Sequence, residues 1–146
     1  MHNLDEHQTI LAFDYGLRQM GVATGQTLTG SAQGLCILRA HDGIPNWDEV
    51  SKLLDEWTPD LVLVGLPLNM DASESELSRL ARKFARRLQG RFNANVLMVD
   101  ERLTSQEAKT LFDDNQGRVD LTKIDHLAAA LILQSWLDQP DLGEQP

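Results

Sequence analysis

The segment DLVLVGLP, residues 60–67, sets the tightest limit on what this chain can fold into. Its continuous apolar run has no polar side to turn toward water, so it reads as a strand buried on both faces that stops at Gly65 and Pro67. A strand of that kind lies inside a sheet with helices on each side. The flanking sequence supplies them. In NWDEVSKLLDEW, Asn46 opens a helix with Glu49 in the capping-box position, Val50, Leu53, Leu54 and Trp57 at helical spacing, and Pro59 as terminator. After the strand, a helix is expected from near Ser73, boxed by Glu76, to about Gln89 with Gly90 ending it; Leu77, Leu80, Ala81, Phe84 and Leu88 form its core stripe.

The same reasoning extends to both ends. Residues 9–13 read as a first strand; GVATG and SAQGLCILR follow as two more, separated by Gly and Thr turns, which suggests an antiparallel meander. ANVLMVD is another strand, TSQEAKTLFDD a helix boxed by Thr104 and Glu107, and TKIDHLAAALILQSWL a last helix that Thr122 is placed to cap. Strands joined through helices require a parallel portion reached by right-handed crossovers. The expected fold class is therefore α/β: a mixed five-stranded sheet, three strands antiparallel and the rest parallel, flanked by helices. Residues 1–139 are read as one domain and 140–146 as a loose tail.

Several classes are excluded by what is missing. Every apolar run is shorter than the roughly 20 residues that span a bilayer, so no membrane association is expected. The leader MHNLDEHQ lacks a basic region followed by an apolar one, which makes the cytoplasm the default. Cys36 is the single cysteine, so one chain holds no disulfide framework and no zinc cluster, and its LCIL context suits a small buried core residue. Net charge is −9, which on average repels a polyanion. The average conceals a patch: Arg79, Arg82, Lys83, Arg86, Arg87 and Arg91 lie in the interval between Glu76 and Asp100, which contains no acid.

Three acids stand beside apolar elements: Asp14 after the first strand, Glu101 after NVLMVD and Asp125 at the start of the last helix. Strand ends form the usual ligand crevice of open α/β sheets, where these acids can meet. Hard oxygen ligands without His or thiol suit Mg²⁺ or Mn²⁺, and a two-metal centre hydrolyses phosphodiesters. Each acid also has an ordinary role available. Asp14 can simply end a strand, Glu101 can pair with Arg102 on the surface, and Asp125 can complete a cap with Thr122.

The motifs carry a resemblance. DYGLRQMGVA (14–23), GLPLNMDAS (65–73), DERLTSQEA (100–108) and IDHLAAALILQSWLD (124–138) resemble, in order and spacing, the four motifs of the YqgF family, also called RuvX. Its members have an RNase H-like fold. The resemblance implies that Asp14, Glu101 and Asp125 are catalytic, metal-binding acids of a Mg²⁺- or Mn²⁺-dependent nuclease. The family is described both as Holliday-junction resolvases and as nucleases that mature the 5′ end of precursor 16S ribosomal RNA, and RNA processing is the favoured role. One departure from the pattern stands out. Relatives often carry a longer, lysine-rich segment before the last motif, whereas FDDNQGRVDLTK is short and holds Asp113, Asp114 and Asp120 against only Arg118 and Lys123.

Supporting groups are read in the same way. Arg18 and Arg102 are close enough in sequence to the acids to meet a phosphate or to steady a carboxylate. Asn69 and Ser73 lie in a strand-to-helix loop where backbone N–H groups can receive a phosphate. Arg82 and Arg86 represent the basic helix face, which is either a solvated surface or a salt-sensitive nucleic-acid track. His126 adjoins Asp125 about 100° around the helix and reads as a surface residue. The expected partner is nucleic acid, precursor rRNA or branched DNA, bound by a monomer or weak homodimer. An adaptor without catalysis is the alternative class. An actin-like phosphotransferase is disfavoured by chain length and by the absence of a Walker-type glycine loop.

Overall fold

The computed structural model describes residues 7–102 and 124–146, with the side chains of residues 124–126 outside that description. The order is β1 (Thr9–Asp14), β2 (Gln19–Gln26), β3 (Ser31–His41), β4 (Ile44–Pro45), α1 (Trp47–Trp57), β5 (Leu61–Leu66), α2 (Glu76–Phe92), β6 (Val96–Asp100) and α3 (Ile124–Asp138). They form one mixed sheet in the order β4-β3-β2-β1-β5-β6. Strands β1 to β4 pair antiparallel, while β1 with β5 and β5 with β6 pair parallel. The meander and the parallel half agree with the sequence reading. The sheet has six strands rather than five, because Ile44 and Pro45 pair with His41 and Ala40 around a tight turn. A two-residue strand is too short to show a period.

Strand alternation divides the core into two layers. Leu11 and Phe13 of β1 and Tyr15 just after it, with Val62, Val64 and Leu66 of β5, pack on Val50 of α1 and Ala81, Phe84, Ala85 and Leu88 of α2. Ile10 and Ala12, with Leu61 and Leu63, face Ala129, Ile132, Leu133 and Trp136 of α3. Phe84 is the hub of the first layer, with ring centroids 5.6 Å from Phe13, 5.4 Å from Tyr15 and 5.9 Å from Trp47. β5 is buried along its whole length, as its composition requires.

The helix ends differ in detail from the expectation. α1 is capped by Asn46, whose side chain accepts from the Asp48 N–H, but it ends on Thr58 in the left-handed region (φ 39°), one residue before Pro59. α2 begins later than Ser73: Ser75 is its cap, and Ser78 closes a reciprocal box with it. The Ser73/Glu76 pair fits the usual box pattern, whereas two serines three apart satisfy the same orphan N–H groups less recognisably. α2 runs through Gly90 and ends at Asn93 (φ 54°). Cys36 is half-buried against the first layer rather than enclosed by it. Residues 140–146 carry a turn of 3-10 helix and a backbone pair, with the Met98 N–H donating to Glu144 O at 2.7 Å and the Glu144 N–H to Met98 O at 3.0 Å. That pair satisfies part of the open edge of β6. The helix expected over 104–114 and the Thr122 cap lie outside the described residues. No helix among the described residues is long and apolar enough to cross a membrane.

Candidate active site

The site is built by three positions on the α3 side of the sheet. Along β1, Asp14 follows Ala12 by two residues and so points to the same face, toward α3. Glu101 follows β6 directly. Between β1 and β6 lies β5, so the two acids are separated by a whole strand. They meet because β5 carries Gly65 there. A β-carbon on Gly65 would overlap Glu101 Oε1 and stand 2.6 Å from Ile132 Cδ1 of α3. The missing side chain leaves a trough in which the Glu101 carboxyl lies across β5 and hydrogen-bonds the Asp14 side chain.

This placement controls the charge. Burial pushes the Glu101 carboxyl up to about 9, helped by its hydrogen bond with Asp14 and by the negative charges of Asp14 and Asp100. These surroundings favour the protonated form of Glu101 in its hydrogen bond with Asp14. Asp100 behaves oppositely. Burial alone would raise it, but the Arg102 guanidinium outweighs that effect and holds it below the usual carboxylate range. Arg102 Nη2 stands 2.7 Å from Asp100 Oδ2, and Nε lies 3.2 and 3.1 Å from the two carboxylate oxygens. Arg102 Nη1 also donates to Met70 O at 3.1 Å, tying the loop after β5 to the end of β6.

Two of the three expected acids thus come together. Asp125 is the second residue of α3, two helical turns or about 10.5 Å along the axis before Ile132, and its side chain is outside the described residues. Among the described residues no third metal-ligating side chain joins Asp14 and Glu101. What they present is a pair of hard oxygen donors, partly buried, mutually repelling when both ionise and joined by no His or Cys among the described residues. That donor set fits a divalent cation of the Mg²⁺ or Mn²⁺ kind and does not fit a soft metal.

The supporting residues divide. Arg18 is exposed beyond β1. Asn69 Nδ2 donates to Ser73 Oγ at 3.0 Å, and Ser73 N and Oγ donate to Asp71 Oδ1 at 2.9 and 2.5 Å, an internally bonded exposed loop. Arg82 is held by Glu74 at 2.7 Å and Glu144 at 3.5 Å, with Nη1 donating to Gln145 O at 3.2 Å. Arg79 pairs with Glu76. Arg86 is exposed, with no ion pair among the described residues. Reading the sequence alone misses Gly65, Asp100 and Tyr15 as parts of the site. Tyr15 is buried one residue after Asp14 and donates to Gly43 O at 3.0 Å. Burial raises its phenol, and the nearby Arg87 charge opposes that shift. A β-carbon on Gly43, where φ is +82°, would overlap the Tyr15 hydroxyl, so glycine is required there on both counts. A glycine inside a fully apolar strand is the available signal for Gly65, since such a residue often marks a close approach.

The strand order, the parity of the acids and the helices on both faces define an RNase H-like α/β domain with a carboxylate pair at one rim. Solved structures agree on the fold. RuvC of T. thermophilus in complex with a Holliday junction substrate superposes with a TM-score of 0.57 at 13% identity, covering 93% of this chain and 98% of that one. The fowlpox virus resolvase bound to Holliday junction DNA gives 0.55 at 16% identity, over 90% and 98%.

The chain belongs to the RuvX family, described as Holliday junction resolvase, whose profile matches residues 8–139. Proteins called "Putative pre-16S rRNA nuclease" are close in sequence. That of Shewanella denitrificans is 52% identical over 134 residues, covering 90% of this chain and 95% of its own. That of Haemophilus ducreyi is 53% identical over 132 residues, covering 89% and 96%.

Proposed function

We propose that the chain is a divalent-metal-dependent endonuclease that hydrolyses phosphodiester bonds, acting in the cytoplasm on the 5′ end of precursor 16S ribosomal RNA. The observation that carries this reading is the Glu101 carboxyl lying over Gly65 against Asp14. Two partly buried acids in contact make a site that a cation would complete. The substrate follows from the name borne by relatives of about half-identical sequence.

Asp14 and Glu101, with Asp125 from α3, would hold Mg²⁺ or Mn²⁺. When bound, such a cation supplies an activated water and offsets charge on the leaving oxygen. Glu101 would serve as a ligand in its ionised form, its proton passing to solvent, because the neutral carboxyl has only weak donor oxygens to offer. Arg102 keeps Asp100 ionised and turned away, so that one carboxylate fewer competes for the site. Its bond to Met70 O sets the loop that borders the rim. Arg18, exposed beyond Asp14, is placed to receive a substrate phosphate. A second reading, cleavage of four-way DNA, is favoured by the description of the family and the fold of its structural neighbours.

The test is cleavage of a precursor 16S leader RNA and a matched four-way DNA junction with Mg²⁺, by the wild type, Asp14→Asn and Glu101→Gln. Each substitution is expected to lower kcat roughly 10²- to 10⁴-fold, the range for losing a group that acts in the transition state. Cleavage by Asp14→Asn at the wild-type rate would place the chemistry elsewhere. Cleavage of the junction alone would replace the RNA reading with the DNA one.

A further inference from the structure

The basic interval on α2 is not uniform once its partners are seen. Arg79 is turned to Glu76, and Arg82 is clamped between Glu74 and Glu144. Lys83, Arg86 and Arg87 have no ion pair among the described residues, and Arg91 stands over Trp47 with its guanidinium carbon 4.4 Å from the ring centroid. These four share a side of the helix that is open to solvent and only slightly hollowed. A shallow depression of about 580 Å³ is lined by Arg79, Lys83, Arg86, Arg87, Gly90 and Arg91. Lys83 and Arg87 also border a narrower cleft of about 100 Å³ that reaches Tyr15 and Gly43. Tyr15 is the residue after Asp14, so the cleft ends one residue from the carboxylate pair, on the opposite face of the sheet.

We propose that Lys83, Arg86, Arg87 and Arg91 form a phosphate-backbone track that holds the nucleic-acid substrate outside the catalytic rim, and that Arg82 is not part of it. The inference rests on the nuclease reading for the identity of the polyanion. The physical case is charge complementarity. In a chain of net charge −9, cations without an ion pair among the described residues on one slightly hollowed face form a local attractive potential against a repelling background. The helix rises about 12 Å from Lys83 to Arg91, and a nucleic-acid strand with one charge per roughly 3.4 Å places about three to four phosphates over that length. Arg91, fixed on Trp47, loses less freedom on binding than a chain waving in solvent. Backbone recognition of this kind reads no bases and positions the strand.

Gly90 gives a test that unfolding cannot imitate. A β-carbon there meets nothing within 4 Å, and replacing a glycine within a helix favours the helix. Gly90→Glu therefore inserts a carboxylate into the depression of a protein at least as stable, and Gly90→Arg inserts another cation. The readout is fluorescence anisotropy of a short labelled RNA duplex, in EDTA so that no cleavage intervenes, across a series of salt concentrations. Gly90→Glu is expected to weaken binding roughly three- to tenfold at low salt, and Gly90→Arg to strengthen it by a similar factor. Lys83→Gln with Arg87→Gln should make the slope of log K against log salt shallower by about 0.7–0.9 for each phosphate no longer neutralised, while Arg82→Gln leaves it unchanged. The track is overturned if the wild type does not bind the duplex at low salt, or if Gly90→Glu and the double variant bind it with wild-type affinity and slope. It is also overturned if Arg82→Gln flattens the slope as much as they do. A failure of the nuclease reading looks different: the wild type would bind the duplex through α2 with these responses and yet leave RNA and junction uncut with Mg²⁺.

Discussion

Asp14 ends β1 and Tyr15 follows it, yet each opens onto a different kind of surface. On the α3 side, Asp14 meets Glu101 over the bare backbone of Gly65, where negative charge is concentrated until a proton or a cation relieves it. On the α2 side, Tyr15 lines a cleft bordered by Lys83 and Arg87, with Asp42 at its wall, and neither cation forms an ion pair among the described residues. One step along the chain separates a place that would repel a phosphate unaided from a place proposed to attract one. On the proposed reading, a strongly acidic chain would act on a polyanion by giving attraction to a helix face and keeping the acids partly buried at the rim.

The largest expected break in this contrast comes from Gly65→Ala. The added methyl strikes Glu101 Oε1 and Ile132 Cδ1, so the carboxyl must leave the trough or α3 must shift. Overpacking of this kind costs about 1–3 kcal/mol, measurable by urea unfolding. Cleavage should fall about 10- to 100-fold, the scale seen when groups that orient metal ligands are disturbed, while RNA affinity in EDTA stays at the wild-type value.

A smaller effect sharpens the charge on the acidic side. Glu101 is raised in the folded protein from 4.5 to about 9. A raised folded value means that the stabilisation is complete below the unfolded value and is lost as pH climbs through the folded one. Cation-free protein should therefore lose stability between about pH 5 and pH 9, by at most about 1.4 kcal/mol per pH unit, and Glu101→Gln should flatten that slope. A slope unchanged by the substitution would assign the titration to another group.

The smallest effect concerns the decoy on the basic side. Arg82→Gln removes its ion pairs with Glu74 and Glu144 in a partly exposed cluster and should cost no more than about 1 kcal/mol in thermal or urea unfolding. A larger loss would make Arg82 a main anchor of the C-terminal segment.

Much of this is legible in the sequence, for reasons that differ by residue. β5 is readable because six apolar residues can be satisfied only inside a sheet, and Asp14 and Glu101 because each directly follows or ends a strand. The meeting of those two acids depends on Gly65, and nothing near Gly65 in sequence announces a carboxyl arriving from beyond β6. The role of Arg102 is half legible: the sequence allows it either to steady a carboxylate or to meet a phosphate, and the carboxylate it holds is Asp100. Local charge patterning groups Arg82 with its neighbours, because its partners stand eight and 62 residues away and only the fold brings them to it. Ile44 and Pro45 carry no strand signal, because a two-residue strand is defined by its partner rather than by its own pattern.

Whether Asp14 and Glu101 share one divalent cation is tested most directly by calorimetry of Mn²⁺ binding near neutral pH, repeated in buffers of different ionisation enthalpy. The wild type is expected to release close to one proton per cation, because Glu101 must ionise to bind, and Asp14→Asn to bind at least about tenfold more weakly. Binding of equal strength in both proteins, with no proton released, would contradict the shared site.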